Sequence, residues 1–463
     1  MRFSLATRAV LIGAALTIIS VLPHPARAAD PAPNNPIADH EQRIKELEET
    51  VERLKKDQQQ QEAHPEFQKL LAGWSNGFVL SSDDGAYRLH LGTHTQADGR
   101  FFIDDAGNQN VNQFLFRRVR PIMDGTIAQY FNFRVMPDFA GGKTVVFDAY
   151  LEAAYLTEAR VRVGKFKPPI GLEQLQDDVN LTFAERALPT NLVPNRDTGG
   201  QLGGEFLDGA LAYRVGIFNG VPDASNADGD VNDDKEFSGR IFALPFKPTS
   251  IDPLRGLGVG FSGSYGRSRG NPGTPDLPVL RTFGQATFFS YTSGATPNAT
   301  NTSVAFGPHS RFSPHMYYYY GPIGVLAEYV DSEQKVGLNT QTVTVDNAAW
   351  QIAGSYVLSG EAASYKGVVP LHPFDPSRRQ WGAWQVAARY GQLEIDPDAF
   401  SSHVADPQRS ARRAKEWVVG LNWFINGNVK LTLDYANTVF AGGAPAGNRK
   451  MESAIVGRVQ LAL

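Results

Sequence analysis

Two short stretches concentrate basic side chains at close to alternate positions. "FRRVRP" (116–121) carries Arg117, Arg118 and Arg120, and "RVRVGKFK" (160–167) carries Arg160, Arg162, Lys165 and Lys167. Successive side chains of an extended chain point to opposite faces, so alternate residues share one face. Such spacing lines a surface with positive charge and biases anions over cations where that surface narrows. Two unit charges about 8 Å apart interact by roughly 0.5 kcal/mol in water and about 2 kcal/mol at an effective dielectric near 20, so a cluster matters where a single residue does not. A second feature is the run "GKFKPPIGLEQLQDDVNLTFAERALP" (164–189), which abandons alternation until "GGQLGGEFLDG" (199–209). Within it Lys165, Lys167 and Arg186 are opposed by Glu173, Asp177, Asp178 and Glu185. So long a connection has a job of its own.

The elements that must carry these residues are strands. From Ala86 the hydropathy period is two: Tyr87, Leu89, Leu91 and Thr93 share one face, and Arg88, His90, His94, Gln96 and Asp98 the other. In "VVFDAYLEAAY" Val145, Phe147, Ala149 and Leu151 are expected to face away from Asp148, Tyr150 and Glu152. Read this way, the polar face carries Arg118, Arg120, Arg134, Arg160, Arg162, Arg214, Arg240, Arg389, Lys430 and Arg458. Asp98, Asp138, Asp148, Glu152, Glu328, Glu416 and Asp434 lie among them. The face is of mixed charge, with its cations densest in the early strands.

A soluble sandwich also alternates. Two features point instead to a barrel in lipid: aromatic residues crowd strand ends beside tight turns ("MYYYYGPIG", "NWFINGNV"), and short connections alternate with long polar ones. Short connections are expected at Gln129–Tyr130, Thr157–Ala159, Gly321–Pro322 and Asn426–Gly427. The pattern predicts an all-β chain, a sixteen-stranded antiparallel transmembrane β-barrel over 86–463, with strand boundaries open around 270–308. The run 168–199 falls between strands five and six, where a loop folded inward would narrow a water-filled lumen.

Ahead of the barrel, "MRFSLATR", the apolar run "AVLIGAALTIISVL" and "PHPARAAD" read as a secretory signal peptide (1–29), cut after Ala28 or Ala29. Its removal takes away Arg2, Arg8 and Arg27 and deepens a net charge that is already −4, which argues against a nucleic-acid partner. A linker (30–38) leads to a helix (39–64) with Ile44, Leu47, Val51 and Leu54 at heptad spacing, continued by Gln58 and Gln61. This is a short coiled-coil-like segment, possible as a trimer or a periplasmic tether, or else a solvated helix. Residues 65–85 connect it to the barrel. Cysteine is absent, which excludes disulfides and thiol chemistry.

Enzymatic motifs are weak. "GFSGS" (260–264) lacks the last glycine of a nucleophile elbow and sits in an alternating strand. The His residues show no metal-ligand spacing. "DASNADGDVNDD" (223–234) has Ala224 where a calcium ligand would fall and reads as a solvated loop. A barrel lipid hydrolase, the competing function, requires a Ser/His pair on the lipid face, which the alternation does not supply.

"FLFRRVRP", "MPDFAGGKTVVFDAYLEA", "VRVGKFKPPIGLEQLQ", "LTFAERALP", "YRVGIFNG", "YYYYGPIGVLAEYV" and "GAWQVAARYGQLEID" together resemble the phosphate-selective porin O and P family of Gram-negative outer membranes, over nearly everything from Tyr87 to Leu463. The resemblance implies a sixteen-stranded barrel, a homotrimer, and a lumen in which Arg and Lys guide anions to a constriction. It also implies that Arg117 and Arg118 are the paired constriction arginines and Asp148 the constriction aspartate. Strict alternation cannot place both Arg117 and Arg118 in the lumen, so a bulge is required. The chain departs from the phosphate-selective pattern at Gln174, where a Lys follows "GLE", and at Asp177 and Asp178, where small hydroxyl residues stand. In the fifth loop mainly Arg267, Arg269 and Arg281 remain. Added carboxylates near a narrow point work against a divalent anion. The expectation is therefore an outer-membrane porin for passive diffusion of small hydrophilic solutes, anion-preferring, with a weaker case for phosphate. A non-selective porin is the alternative. Its partners would be outer-membrane lipid and lipopolysaccharide, with no cofactor and no metal. The expected anion pathway comprises Arg117, Arg118, Arg120, Arg134, Asp148, Arg160, Arg162, Lys165, Lys167, Arg186, Arg214 and Arg240.

Overall fold

The computed structural model describes residues 36–62, 69–103, 110–230, 232–296 and 298–463. The expected leader, and the linker up to residue 35, lie outside the described residues. Two units are present, divided at Gln68. Among the described residues the first contains one helix, α1 (Pro36–Glu62), which takes in the end of the expected linker. Proline is well tolerated in the first turn, where its missing N–H has no intrahelical partner. Ile44, Leu47, Val51 and Leu54 are all exposed on it.

In the second unit the period-two segments become the strands of one closed sheet. They are β1 (Arg88–Ile103), β2 (Gln113–Ile127), β3 (Phe131–Asp138), β4 (Val145–Ala153), β5 (Arg160–Phe166), β6 (Asp197–Phe206), β7 (Leu211–Phe218) and β8 (Glu236–Ala243). These are followed by β9 (Leu257–Arg269), β10 (Val304–Tyr320), β11 (Ile323–Leu338), β12 (Gln341–Val357), β13 (Ala383–Glu394), β14 (Ala411–Phe424), β15 (Val429–Ala444) and β16 (Glu452–Ala462). Each pairs antiparallel with its neighbour in sequence, and β16 closes on β1 with Gly457 opposite Gly99. Closure leaves no unpaired edge, which is what a sheet in lipid requires. Residues 65–85, expected only to connect, hold a hairpin (Leu70–Trp74 with Phe78–Ser82) whose second strand pairs with β1.

The two ends of the barrel differ. At the turn end, 128–130, 154–159, 321–322 and 425–428 are short, and aromatic pairs gather there: Tyr130 stacks on Tyr155 at 4.5 Å and Trp384 on Trp423 at 5.1 Å. Such rings suit a membrane–water interface. At the loop end, 167–196, 219–235 and 270–303 are long. The region open in sequence resolves as a loop carrying a small ribbon (Val279–Arg281 with Thr287–Ser290) before β10 begins at Val304. Three connections break the expected asymmetry, one being the long β8–β9 connection 244–256 at the turn end. The β11–β12 loop, 339–340, is a tight turn with Asn339 at φ 54°, capping two long strands. The β12–β13 connection at the turn end runs from 358 to 382, and part of it folds inward, burying Ala363 and Val368.

The core is inside the barrel but fills only part of it. Ile170, Leu188, Leu192 and Val193 of loop 167–196 pack with Leu280, Phe288 and Phe289 of the ribbon loop. Both pack against Val330, Val336, Val345, Ala349, Leu393, Ala414 and Phe440 of β11–β15. Each such buried side chain contributes about 1.5–3 kcal/mol by leaving water. The remaining interior, along β1–β5, is polar.

Candidate functional site: an arginine-lined constriction

Two β-bulges aim the polar side. Between β1 and β2, Gln96 lies opposite Arg118 and Ala97 opposite Phe116, so Arg117 is an extra residue. Between β3 and β4, Met136 lies opposite Asp148 and Pro137 opposite Val146, so Phe147 is extra. A bulge lets consecutive side chains turn to one side of a sheet. Arg117 and Arg118 therefore both reach the lumen, as the resemblance requires. Phe147 corrects the alternation reading, which turned it to lipid: its ring lies between the guanidiniums of Arg120, 4.0 Å away, and Arg196, 4.5 Å away.

Loop 167–196 lies within the barrel, held by the opposite wall. Gly171 N–H donates to Ser262 Oγ (3.0 Å), Leu172 N–H to Glu328 Oε1 (2.5 Å), and the Tyr365 hydroxyl to the Leu172 carbonyl (2.7 Å). Gly171 has φ 79°, and a Cβ there would press on Glu328 Oε1 at 3.0 Å. On the returning limb, Lys430 Nζ donates to Leu181 O (2.8 Å), Asn422 Nδ2 to Thr182 O (2.7 Å) and Arg389 Nη1 to Glu185 O (3.0 Å). Ala184 N–H donates to Asp434 Oδ2 (2.7 Å). Several inward charges of the late strands thus seat the loop's backbone, and Ser262 of the near-miss elbow is one of the acceptors.

The loop's carboxylates meet the arginines. Asp178 pairs with Arg120 and Arg186 and lies 3.5 Å from Arg118 Nη2. Glu185 Oε1 accepts from Arg117 Nε (2.6 Å), Arg100 Nη2 (2.7 Å) and Arg458 Nη2 (3.2 Å), and its Oε2 accepts from Arg117 Nη2 (3.1 Å). Burial opposes ionisation of Asp178, but Arg118, Arg186 and Arg120 outweigh it and hold the carboxyl well below the usual range. Glu185 is likewise depressed, burial being overcome by Arg117, Arg100, Arg118 and Arg458. The wall adds its own acids: Arg120 Nε donates to Asp138 Oδ2 (2.7 Å) and Arg458 Nε to Asp98 Oδ1 (2.6 Å).

Two cavities flank this cluster. One, of about 230 Å³, is lined by Arg117, Arg118, Arg120, Gln174, Asp178, Glu185, Arg186, Arg196 and Arg281. The other, of about 310 Å³, is lined by His90, His94, Asp124, Arg134, Asp177, Lys366 and Lys430. Asp178 faces the first and its neighbour Asp177 the second, so a single turn of the loop partitions them.

The other expected pathway residues are spread along the same wall. Arg134 lies 3.8 Å from Asp124 and 3.7 Å from Asp148, and Asp148 accepts from Arg196 Nε at 3.2 Å. Lys165 pairs with Asp228, and Lys167 Nζ donates to Gln176 O (2.8 Å). Arg162 Nη2 is 2.7 Å from Glu152 Oε2, with its guanidinium 4.2 Å from the Tyr150 ring centre. Arg214 and Arg240 are directly opposite each other on β7 and β8. Arg240 Nε donates to His315 Nε2 (3.2 Å), whereas Arg214 makes no hydrogen bond or ion pair with the described residues. Arg160 opens β5 at the turn end. The calcium-like run is not wholly solvated either: Asp223 is buried, accepting from Arg311 Nε at 2.6 Å and Ser332 Oγ at 2.7 Å.

Sequence reasoning missed Arg100, Arg196 and Tyr365. Arg100 sits two residues beyond Asp98 on the inward face of β1, so period two alone would have found it. Arg196 and Tyr365 lie in irregular segments with no period to read.

A closed sixteen-stranded antiparallel barrel with interfacial aromatics and a charged, loop-narrowed lumen defines an outer-membrane porin. Residues 89–462 match the model of the phosphate-selective porin O and P family, and the chain belongs to that family. Porin O of Pseudomonas aeruginosa is 25% identical over 381 residues, covering 78% of this chain and 84% of that protein. Two solved structures share the fold. An anion-selective porin from Comamonas acidovorans has a TM-score of 0.51 at 10% identity, covering 81% of this chain and 100% of its own. The outer membrane channel DcaP of Acinetobacter baumannii has a TM-score of 0.50 at 10% identity, covering 85% and 100%.

Proposed function

We propose that this outer-membrane porin passes small hydrophilic anions through the β1–β5 side of its lumen, without catalysing a reaction. The observation carrying this reading is the continuity of guanidiniums across the partition, from Arg117, Arg118, Arg120, Arg186 and Arg196 in one cavity to Arg134 in the next. Arg160 and Arg162 of β5, and Arg214 and Arg240 of the neighbouring β7 and β8, extend positive charge towards the turn end. Carboxylates interleave with nearly all of these cations, which supports a mild anion preference over tight phosphate selection. The described Ser–His contacts, His309 with Ser332 and His315 with Ser313, are buried, away from the lipid position a barrel hydrolase needs.

The turn end faces the periplasm in this reading, the leader is cleaved on export, and α1 is periplasmic. The barrel assembles as a homotrimer among outer-membrane lipid and lipopolysaccharide. Strands β3–β8 are 7 to 10 residues long, against 16 or 17 in β10–β12. A tilted strand needs about 9–11 residues to span the hydrocarbon. The low wall, with Val163, Ile217, Phe237 and Ile241 exposed on it, is thus best shielded by another copy.

Reconstitution into a planar bilayer under a potassium chloride gradient tests the central claim. Stepwise conductance with a reversal potential on the chloride side is expected. A reversal potential on the potassium side would remove the anion preference, and absence of conductance would remove the channel.

A further inference from the structure

We infer that Asp178 and Glu185 are tethered counter-anions, loop side chains occupying an oxyanion site that the barrel wall builds, and that they set how weakly the pore holds a free oxyanion. The inference rests on the porin reading. Both carboxylates are buried among guanidiniums: Asp178 among Arg118 and Arg120 of β2 and Arg186 of its own loop, Glu185 among Arg100 of β1, Arg117 of β2 and Arg458 of β16. Arg117 grips Glu185 with two donors, Nε at 2.6 Å and Nη2 at 3.1 Å, the two-pronged geometry by which arginine recognises carboxylate and phosphate alike.

The wall does not depend on these two residues alone for charge balance, since Asp98 and Asp138 already pair with Arg458 and Arg120. Donor capacity also remains unused: Nε of Arg100 and Nε of Arg118 are buried with no partner among the described residues. A carboxylate has fewer acceptor oxygens than a tetrahedral oxyanion, so these donors fit a site larger than its present occupant. Because the occupant belongs to the chain, it competes at a high effective concentration with any anion arriving from solution. A mobile oxyanion therefore passes the cluster without lodging there. Neutralising one loop carboxylate vacates positive charge on the lining of the first cavity and turns a transit point into a binding site for inorganic phosphate or another tetrahedral oxyanion.

The full-length protein is compared with Asp178→Asn, Glu185→Gln and a control, Asp406→Asn, which removes the same charge from an exposed loop. Folding is scored first by the heat-sensitive electrophoretic shift of the barrel. Wild-type conductance in potassium chloride is then established, and its absence would count against the porin reading and not against this one. Inorganic phosphate is next titrated into the bath. Half-block is expected at a phosphate concentration about tenfold lower in Asp178→Asn than in wild type, the scale of one charge-assisted contact, with Glu185→Gln shifted in the same direction and Asp406→Asn unshifted. If Asp178→Asn fails to fold, Glu185→Gln decides. The inference is overturned if a folded, conducting variant shows the wild-type phosphate block, or if the control shifts as far as the loop variants.

Discussion

The two sides of the barrel interior use the same inward strand positions for different purposes. Along β1–β5 those positions carry Arg118, Arg120 and Arg134, which line the two cavities, with Asp148 and Arg162 beside them, each in an ion pair. Along β11–β15 they carry Val330, Val336, Val345, Leu393 and Phe440, closed by two loops into a dry core. The dry side gives the inserted loop a rigid seat, and the polar side receives its charged edge. A loop that must hold Asp178 against three guanidiniums cannot also float. Apolar packing and wall donors on one side therefore position the electrostatics on the other.

The comparison breaks most readily at Arg120. Arg120→Gln leaves Asp138 and Asp178 short of a buried partner and is expected to cost about 3–5 kcal/mol in urea unfolding from lipid vesicles, while moving the reversal potential towards zero. Wild-type stability in that variant would mean the polar side is not held by its ion pairs. Leu192→Ala, in the dry core, is expected to cost about 2–5 kcal/mol with the reversal potential unchanged. A change in selectivity there would show that the two sides are not separable in the way described.

Acid sharpens the same contrast. The carboxyls of Asp178 and Glu185 are depressed in the folded protein, so their contribution to stability is fully present above the carboxylate range of the unfolded chain. It is lost progressively as pH falls from that range through the folded values. Stability attributable to this cluster should therefore be flat above about pH 5 and decline below about pH 4, as read from the urea midpoint. The Asp178→Asn and Glu185→Gln double variant should show a shallower decline. The smallest effect is expected for Tyr365→Phe, which removes the bond to the Leu172 carbonyl at a cost of about 0.5–1.5 kcal/mol and should raise open-channel noise more than it lowers stability.

Much of this was legible in the residues themselves. Alternation identified the strands, their number and the inward placement of Arg118, Arg120, Arg134, Glu328, Arg389 and Asp434, because the two-residue period of a strand maps directly onto the two faces of a sheet. The same period misplaced Phe147, since a bulge shifts the register without leaving a mark in the hydropathy. It also could not separate Arg134, beside a cavity, from Arg389, which seats a loop, because both merely face inward.

What the sequence by itself determined was the barrel, the inserted loop, and the opposition of charges within "GKFKPPIGLEQLQDDVNLTFAERALP". Strand pattern and charge are local properties, read residue by residue. Tertiary structure alone decided that Asp178 and Glu185 meet arginines from distant strands, that Asp177 and Asp178 look into different cavities, and that part of the interior is an apolar core. Each of these depends on where an irregular loop crosses a closed wall, and an irregular backbone has no period from which its contacts can be read.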